Sequence, residues 1–238
     1  MPIQCVILAG GLGTRMRPFT AAIPKALISV NGQPFVDHQL RWLANHGIDD
    51  VVLSIGHRGH QIREHVRGGE RFRLRVRYVD EGEKLRGTAG ALRLALDEGA
   101  LDEAFLLTYG DSYLPVDFGA FSRAFERSAA SAMLAVFRNE GRWDRSNVIV
   151  SGNRVALYDK RRQDPAAAAR MEYIDYGLSA FRRSVIAERV APGATADLAD
   201  LMHALSMQGG LAAYEIATRF YEVGSPGGLA DLERFLVT

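Results

Sequence analysis

The sequence contains a single cysteine, Cys5, in 238 residues. No intrachain disulfide can form, and a reducing, cytoplasmic setting is expected. It also lacks a charge excess of either sign: 29 Lys and Arg face 28 Asp and Glu, for a net charge of +1. Nucleic-acid binders usually carry a clear basic surplus, so no nucleic-acid partner is expected. No apolar stretch approaches the ~18 residues that span a membrane, so no membrane partner is expected either. The start of the chain is no signal peptide, because it has no basic region and its apolar run stops at Gly10. Repeats, low-complexity segments and linkers are missing, and no hexapeptide-repeat domain is expected after the last helix. One domain spanning 1–238 is the economical reading.

What is present is an alternation of short strands and amphipathic helices. Residues 4–9, 51–55 and 104–108 are apolar runs of strand length. Between them, 34–46 carries Val36, Leu40 and Leu43 at helical spacing, 58–66 reads as a weak helix, and 88–98 and 117–127 read as helices. Residues 71–79 alternate, with Phe72, Leu74, Val76 and Tyr78 opposite Arg71, Arg73, Arg75 and Arg77, which predicts a half-buried strand. The arginine face is expected to be a solvated edge or a subunit contact, which leaves room for a homo-oligomer. This βαβ series predicts a mainly parallel sheet covered by helices. In the second half, 132–137, 147–150, 154–158 and 175–181 read as strands, and 198–207 and 226–236 as helices. Residues 161–170 read as a loop or mobile helix. His57, His60 and His65 are spaced by three and five, which does not put them on one helical face, so no zinc site is expected.

The first strand runs directly into Leu8-Ala9-Gly10-Gly11-Leu12-Gly13-Thr14-Arg15-Met16-Arg17-Pro18. A glycine loop after a strand lets backbone N–H groups approach phosphates. The dinucleotide fingerprint fails, because Met16 stands where a third glycine or alanine belongs. No Gly-Lys-Ser/Thr is present, so the loop is not a P-loop. Arg15, Arg17 and Lys25 place three cations beside the glycines, which suits a triphosphate better than a plain βα turn. Asp111 follows an apolar strand at its carboxyl end, where α/β sheets place ligands. A lone Gly-Asp pair would be a turn, but behind that strand its carboxylate suits Mg²⁺.

The signature loop, Pro24-Lys25-Ala26-Leu27 and Gly32-Gln33-Pro34-Phe35 resemble the signature of sugar-1-phosphate nucleotidyltransferases. The resemblance continues at Gly87-Thr88-Ala89-Gly90, Gly110-Asp111, Asp159-Lys160, Asp175-Tyr176-Gly177 and Phe220-Tyr221-Glu222-Val223-Gly224. It implies an α/β, single-domain, glycosyltransferase-A-like (Rossmann-like) fold, with a mixed, mostly parallel sheet flanked by helices. A nucleotide-binding part (1–130) and a sugar-binding part (131–238) are implied. The implied reaction joins an NTP and a sugar 1-phosphate into an NDP-sugar with release of pyrophosphate, as in supply of cell-envelope polysaccharide.

By position in the motifs, Arg15 and Lys25 are implied to be catalytic. Leu8, Ala9, Gly10, Gly11, Gly13, Thr14, Glu81, Gly87, Thr88 and Gly110 are implied to hold the nucleotide. Lys160, Asp175, Gly177 and Glu172 are implied to hold the sugar phosphate. Asp111 and Glu222 are implied to bind Mg²⁺, with Mn²⁺ as the alternative. Three positions depart from the family pattern: Glu222 replaces an aspartate, Arg86 a leucine, and Arg161 a proline. Thr88 is expected to cap the helix that follows it. The loop resembles that of the members acting on mannose- or heptose-1-phosphate, which implies GTP as the nucleotide. The alternatives are a UTP- or CTP-specific enzyme on another sugar phosphate, such as an amino sugar, and a non-catalytic nucleotide-sugar-binding regulatory subunit.

Overall fold

The computed structural model describes residues 3–237; Met1, Pro2 and Thr238 lie outside the described residues. In chain order it contains β1 (Ile3–Leu8), the hairpin β2 (Ser29–Val30) and β3 (Gln33–Pro34), α1 (Phe35–Asn45), β4 (Ile48–Ile55) and α2 (Gly59–Val66). Next come β5 (Arg75–Asp80), α3 (Gly87–Asp97), β6 (Ala104–Tyr109), β7 (Ser112–Tyr113) and α4 (Phe118–Arg127). The second half holds β8 (Ala132–Arg138), β9 (Val148–Ser151), β10 (Arg154–Tyr158), α5 (Pro165–Ala168), β11 (Tyr173–Arg182) and α6 (Arg183–Arg189). It ends with α7 (Leu198–Met207), β12 (Leu211–Ile216), β13 (Tyr221–Glu222) and α8 (Pro226–Phe235).

Nine strands form one mixed sheet in the order β5-β4-β1-β6-β11-β8-β12-β10-β9. The first four are parallel, as apolar runs joined by helical crossovers require. At β6 the sheet changes character: β11 runs antiparallel to both β6 and β8. The parallel β8–β12 ladder then meets antiparallel β10 and β9. Parallel pairing therefore dominates the first half of the chain, and antiparallel pairing the second.

Three cores hold these layers. Against one face of the sheet pack Leu40 and Leu43 of α1, Ile62 of α2, and Phe118, Phe121 and Phe125 of α4. Asp117 caps α4 by accepting from the N–H of Ala120 at 2.8 Å. Against the other face pack Leu92 of α3, Ile186 of α6 and Met202 of α7. A third, smaller core joins Met16 of the signature loop to Val30, Phe35, Tyr113, Val223 and Leu232. Met16 is fully buried there, and a Met-to-Ala change at such a site costs about 2–5 kcal/mol. This third core matters to the site, because it fixes both the root of the glycine loop and the segment bearing Glu222.

Several local expectations are corrected. The arginine-alternating stretch is a strand only from Arg75; Glu70–Phe72 is a single 3₁₀ turn and Arg73 has φ of 61°. Its arginines are not simply solvated. Arg75 and Arg77 pair with Asp50 at 3.1 and 2.8 Å, and Arg71 pairs with Asp37 at 2.9 Å. Burial raises the Asp50 carboxyl, but hydrogen bonds from Arg77 and Gln4 and the two arginine charges outweigh it and hold the group below its ordinary value. The loop 161–170 contains the short helix α5, capped by Asp164. Helix α6 and strand β12 were not anticipated. Thr88 does not cap α3. Its hydroxyl accepts from the N–H of Leu198 at 2.7 Å and donates to Asp197 at 3.0 Å, so it closes the start of α7.

Candidate active site

β1 and β6 end side by side, and their carboxyl ends open into a cleft of about 320 Å³. Every residue predicted to hold the nucleotide lines it, together with Arg15, Lys25 and Asp111. The N–H of Gly110 donates to the Leu8 carbonyl at 2.8 Å, which ties the Gly-Asp turn to the root of the glycine loop.

Gly87 is required by close approach, and Gly10 packs against the Glu81 side chain. A Cβ on Gly10 would stand 2.7 Å from Oε1 of Glu81. Gly87, at φ +72°, would place a Cβ 2.5 Å from the carbonyl oxygen of Ala196. That carbonyl accepts from the N–H groups of Ala89 (3.0 Å) and Gly90 (3.2 Å), while Arg86 accepts from the N–H of Ala196 at 2.8 Å. The 86–90 loop is thus fastened by backbone bonds to the segment before α7. Glu81 is fixed from the other side, its Oε2 accepting from the N–H of Arg86 at 2.7 Å. Burial raises the Glu81 carboxyl, partly offset by that N–H and by the Arg86 charge.

Charge gathers at the opposite end. Lys25 Nζ donates to Asp111 Oδ2 at 2.6 Å, and both side chains still reach water. Glu222 comes from more than a hundred residues away. Antiparallel pairing of β13 with β7 sets Glu222 opposite Ser112, and the N–H of Val223 donates to the Asp111 carbonyl at 2.8 Å. Glu222 is open to solvent yet walled by protein. Burial first, then the negative charges of Asp111 and Asp175, push its carboxyl up to about 7, against relief from Lys25 and Arg15. Asp111 and Glu222 are the carboxylates that could hold a cation at this end of the cleft.

This strain has a measurable sign. An ordinary glutamate ionises near 4.5 and this one near 7. Between those values the unfolded chain gives up its proton while the folded chain keeps it, so stability falls as pH rises through the window. Glu222→Gln is therefore expected to raise Tm in EDTA at pH 8 and to leave it unchanged at pH 4.5. Equal Tm shifts at the two pH values would show an ordinary carboxyl.

The sugar-side residues divide. Asp175 sits at the head of β11. Its Oδ1 accepts from the N–H of Gly177 at 2.8 Å and its Oδ2 from the Tyr158 hydroxyl at 3.1 Å. Burial raises its carboxyl, while these bonds and the Lys160 charge pull the other way. Lys160 is exposed and has no ion pair among the described residues. Glu172 is not brought to this cluster; it pairs with Arg138 at 3.3 Å on the exposed face of the sheet.

Sequence reasoning missed three neighbours of the cleft. Leu85, not Arg86, turns into it, so the inward apolar position lies one residue earlier than expected. Tyr109, beside Gly110, contributes a phenol that burial and the charges of Asp175, Asp111, Asp197 and Glu222 hold well above its ordinary value, so it stays a neutral donor. Asp197 caps α7 and also meets Thr88, and an aspartate ahead of an apolar helical run was a readable cap signal.

Comparison with known proteins gives this arrangement its context. The chain is 26% identical over 226 residues to the mannose-1-phosphate guanyltransferase of Schizosaccharomyces pombe, covering 94% of this chain and 61% of the relative. It is 29% identical over 141 residues to the UTP–glucose-1-phosphate uridylyltransferase of Synechocystis, covering 56% of this chain and 36% of the relative. The chain thus spans less than two thirds of the length of both relatives. The solved structure of HddC from Yersinia pseudotuberculosis complexed with GMP-PN superposes with a TM-score of 0.79 at 20% identity, covering 98% of this chain and 99% of that one. That likeness confirms the glycosyltransferase-A-like architecture. The glycine loop, the Gly-Asp turn and the terminal Glu222 segment all fall inside residues 4–236, which match the nucleotidyl transferase family model, and to that family the chain belongs.

Proposed function

We propose that this chain transfers a nucleoside monophosphate from GTP to mannose- or heptose-1-phosphate, giving an NDP-sugar and pyrophosphate. A sugar-phosphate oxygen attacks the α-phosphorus, and the bond from that phosphorus to the β-phosphate bridge breaks. The nucleophile is already an anion near pH 7, since a phosphate monoester has its second pKa near ~6, so no general base is needed. Positioning and charge neutralisation remain as the work of the protein. Arg15 faces the leaving pyrophosphate, Lys25 the phosphate oxygens between donor and acceptor, and Lys160 the incoming sugar phosphate. Asp175 and Gly177 frame the sugar. Among the described residues no group of three or more His, Cys, Asp or Glu could cage a metal. Asp111 and Glu222 fit Mg²⁺ or Mn²⁺, hard ions that take one or two carboxylates plus phosphate oxygens and water. When bound, the ion supplies positive charge to the reacting phosphates.

The observation that favours guanine is Glu81. It is the carboxylate beside Leu85 and Gly87 in the cleft, and its Oε1 faces Gly10 while Oε2 takes only one backbone N–H. Guanine presents two adjacent donors, N1–H and N2–H, to such an acceptor. Uracil presents one donor between two carbonyls, which the carboxylate would repel. Glu81→Gln is expected to lower kcat/KM for GTP by about 10–100-fold, the value of one well-made bidentate contact, and to leave UTP unchanged or improved. The test is pyrophosphate release over four NTPs against mannose-, heptose-, glucose- and amino-sugar-1-phosphates, for wild type and variant. A wild-type preference for UTP or CTP would overturn the choice of base. Binding without turnover across the whole panel would overturn the enzyme reading in favour of a regulatory subunit.

A further inference from the structure

Arg15 is exposed and makes no hydrogen bond or ion pair among the described residues. Where its charge stands is therefore set by the backbone beneath it. That backbone is a coil over 14–24 closed by its own bonds. The hydroxyl of Thr20 donates to the Gly13 carbonyl at 2.8 Å, and the N–H of Ala21 to the Pro18 carbonyl at 2.9 Å. Its near limb is rooted by buried Met16. Its far limb, just ahead of Lys25, carries two exposed alanines, followed by Ile23, which packs against the same core as Met16.

Arg58 reaches that limb from outside the coil. Its Nη1 donates to the Ala22 carbonyl and its Nη2 to the Ala21 carbonyl, both at 2.8 Å. Nε of the same guanidinium donates to His57 Nε2 at 3.2 Å, which orients the fork. Gln61, on the first turn of α2, adds a 3.2 Å bond to the Ala22 carbonyl. Arg58 holds a left-handed backbone, φ 57°, at the mouth of α2. Glycine would adopt that conformation without strain, so what the arginine contributes is its side chain. The root of this clamp is itself tied to the cleft, as the N–H of His57 donates to the Gly10 carbonyl at 3.4 Å.

We infer that Arg58 is a positioning residue, whose planar fork pins the far limb of the signature coil so that Arg15 and Lys25 stand over the cleft. The inference rests on the proposed nucleotidyl transfer for its kinetic readout, but not for its structural one. Both acceptor carbonyls are exposed, so losing the clamp leaves no buried polar group and should not unfold the protein. It should instead loosen the coil, and displacements near 1 Å in a positioning element cost up to ~100-fold in rate.

Two measurements decide it. In the ligand-free protein, amide hydrogen exchange over 14–24 is expected to be faster in Arg58→Ala, with exchange in β1 and β6 and the Tm unchanged. Arg58→Lys, a single point donor that cannot span two carbonyls, should recover little of the protection. In turnover, Arg58→Ala should lower kcat by about 10-fold or more, with KM for the sugar phosphate unchanged. Because the clamp acts in part through Arg15, the same change in an Arg15→Ala background should add a smaller loss than in the wild-type background. Unchanged exchange over 14–24 would overturn the inference, as would an undiminished kinetic loss in the Arg15→Ala background. If wild type turns over no NTP and sugar-phosphate pair, the proposed function fails, and the exchange measurement still decides the clamp.

Discussion

Asp111→Asn is expected to lose turnover by about 10³-fold or more and to recover little in excess Mg²⁺. The side chain stands at the carboxyl end of β6, 2.6 Å from the Lys25 ammonium, with Glu222 arriving beside it on β13. Asparagine keeps the shape and removes the charge. It leaves Glu222 without its neighbouring carboxylate and Lys25 without its ion-pair partner, so on the proposed reaction charge balance fails beside the phosphates. Folding should shift by no more than about 1 kcal/mol, because both members of the ion pair reach water. Initial rates against a metal titration, with Tm as the control, read both effects. A variant within a few-fold of wild type, or full wild-type activity in EDTA, would remove Asp111 from its assigned place.

Arg15→Ala should follow at about 10²–10³-fold in kcat, the usual cost of one preorganised charge aimed at a departing group. Its side chain is exposed and unpaired among the described residues, so Tm should stay where it is. On the proposed reaction the loss belongs in kcat more than in KM, because the negative charge that Arg15 would meet grows as pyrophosphate leaves. Arg15→Lys should recover part of the rate, since a point charge replaces a planar fork. A purely KM-based loss would place Arg15 in ground-state binding.

These side chains were legible in the sequence to different degrees. Residues 4–9, 51–55 and 104–108 announced the parallel half, because strands buried on both faces read as unbroken apolar runs. The glycine loop and Gly110-Asp111 stood where those runs stop, so that end of the cleft was readable by position alone. The stretch from Arg71 misled because period-2 alternation survives a 3₁₀ turn: Phe72 and Leu74 remain buried although the chain there is not a strand. β12, Leu-Ala-Ala-Tyr-Glu-Ile, hides because small alanines give a weak apolar signal, although it sits between β8 and β10. What no local pattern carries is pairing across distance. The Lys25–Asp111 contact, the Thr88–Asp197 bond and the Arg58 fork on Ala21 and Ala22 join residues far apart in sequence, and each is set by how the sheet closes.

The way Glu222 reaches the cleft also sets a timetable. The glycine loop, Lys25 and Asp111 all lie within the first half of the chain, the loop and Asp111 just beyond the parallel, paired strands β1 and β6. Glu222 docks by the short β13–β7 pairing and the packing of Val223 and Leu232, contacts that wait for residues 221–235. At the ~5–20 residues per second of synthesis, roughly ten seconds separate the emergence of the two carboxylates. For that interval the growing polypeptide carries Asp111 and the glycine loop without their acidic counterpart. A message truncated anywhere before codon 222 would leave that half-built state permanent.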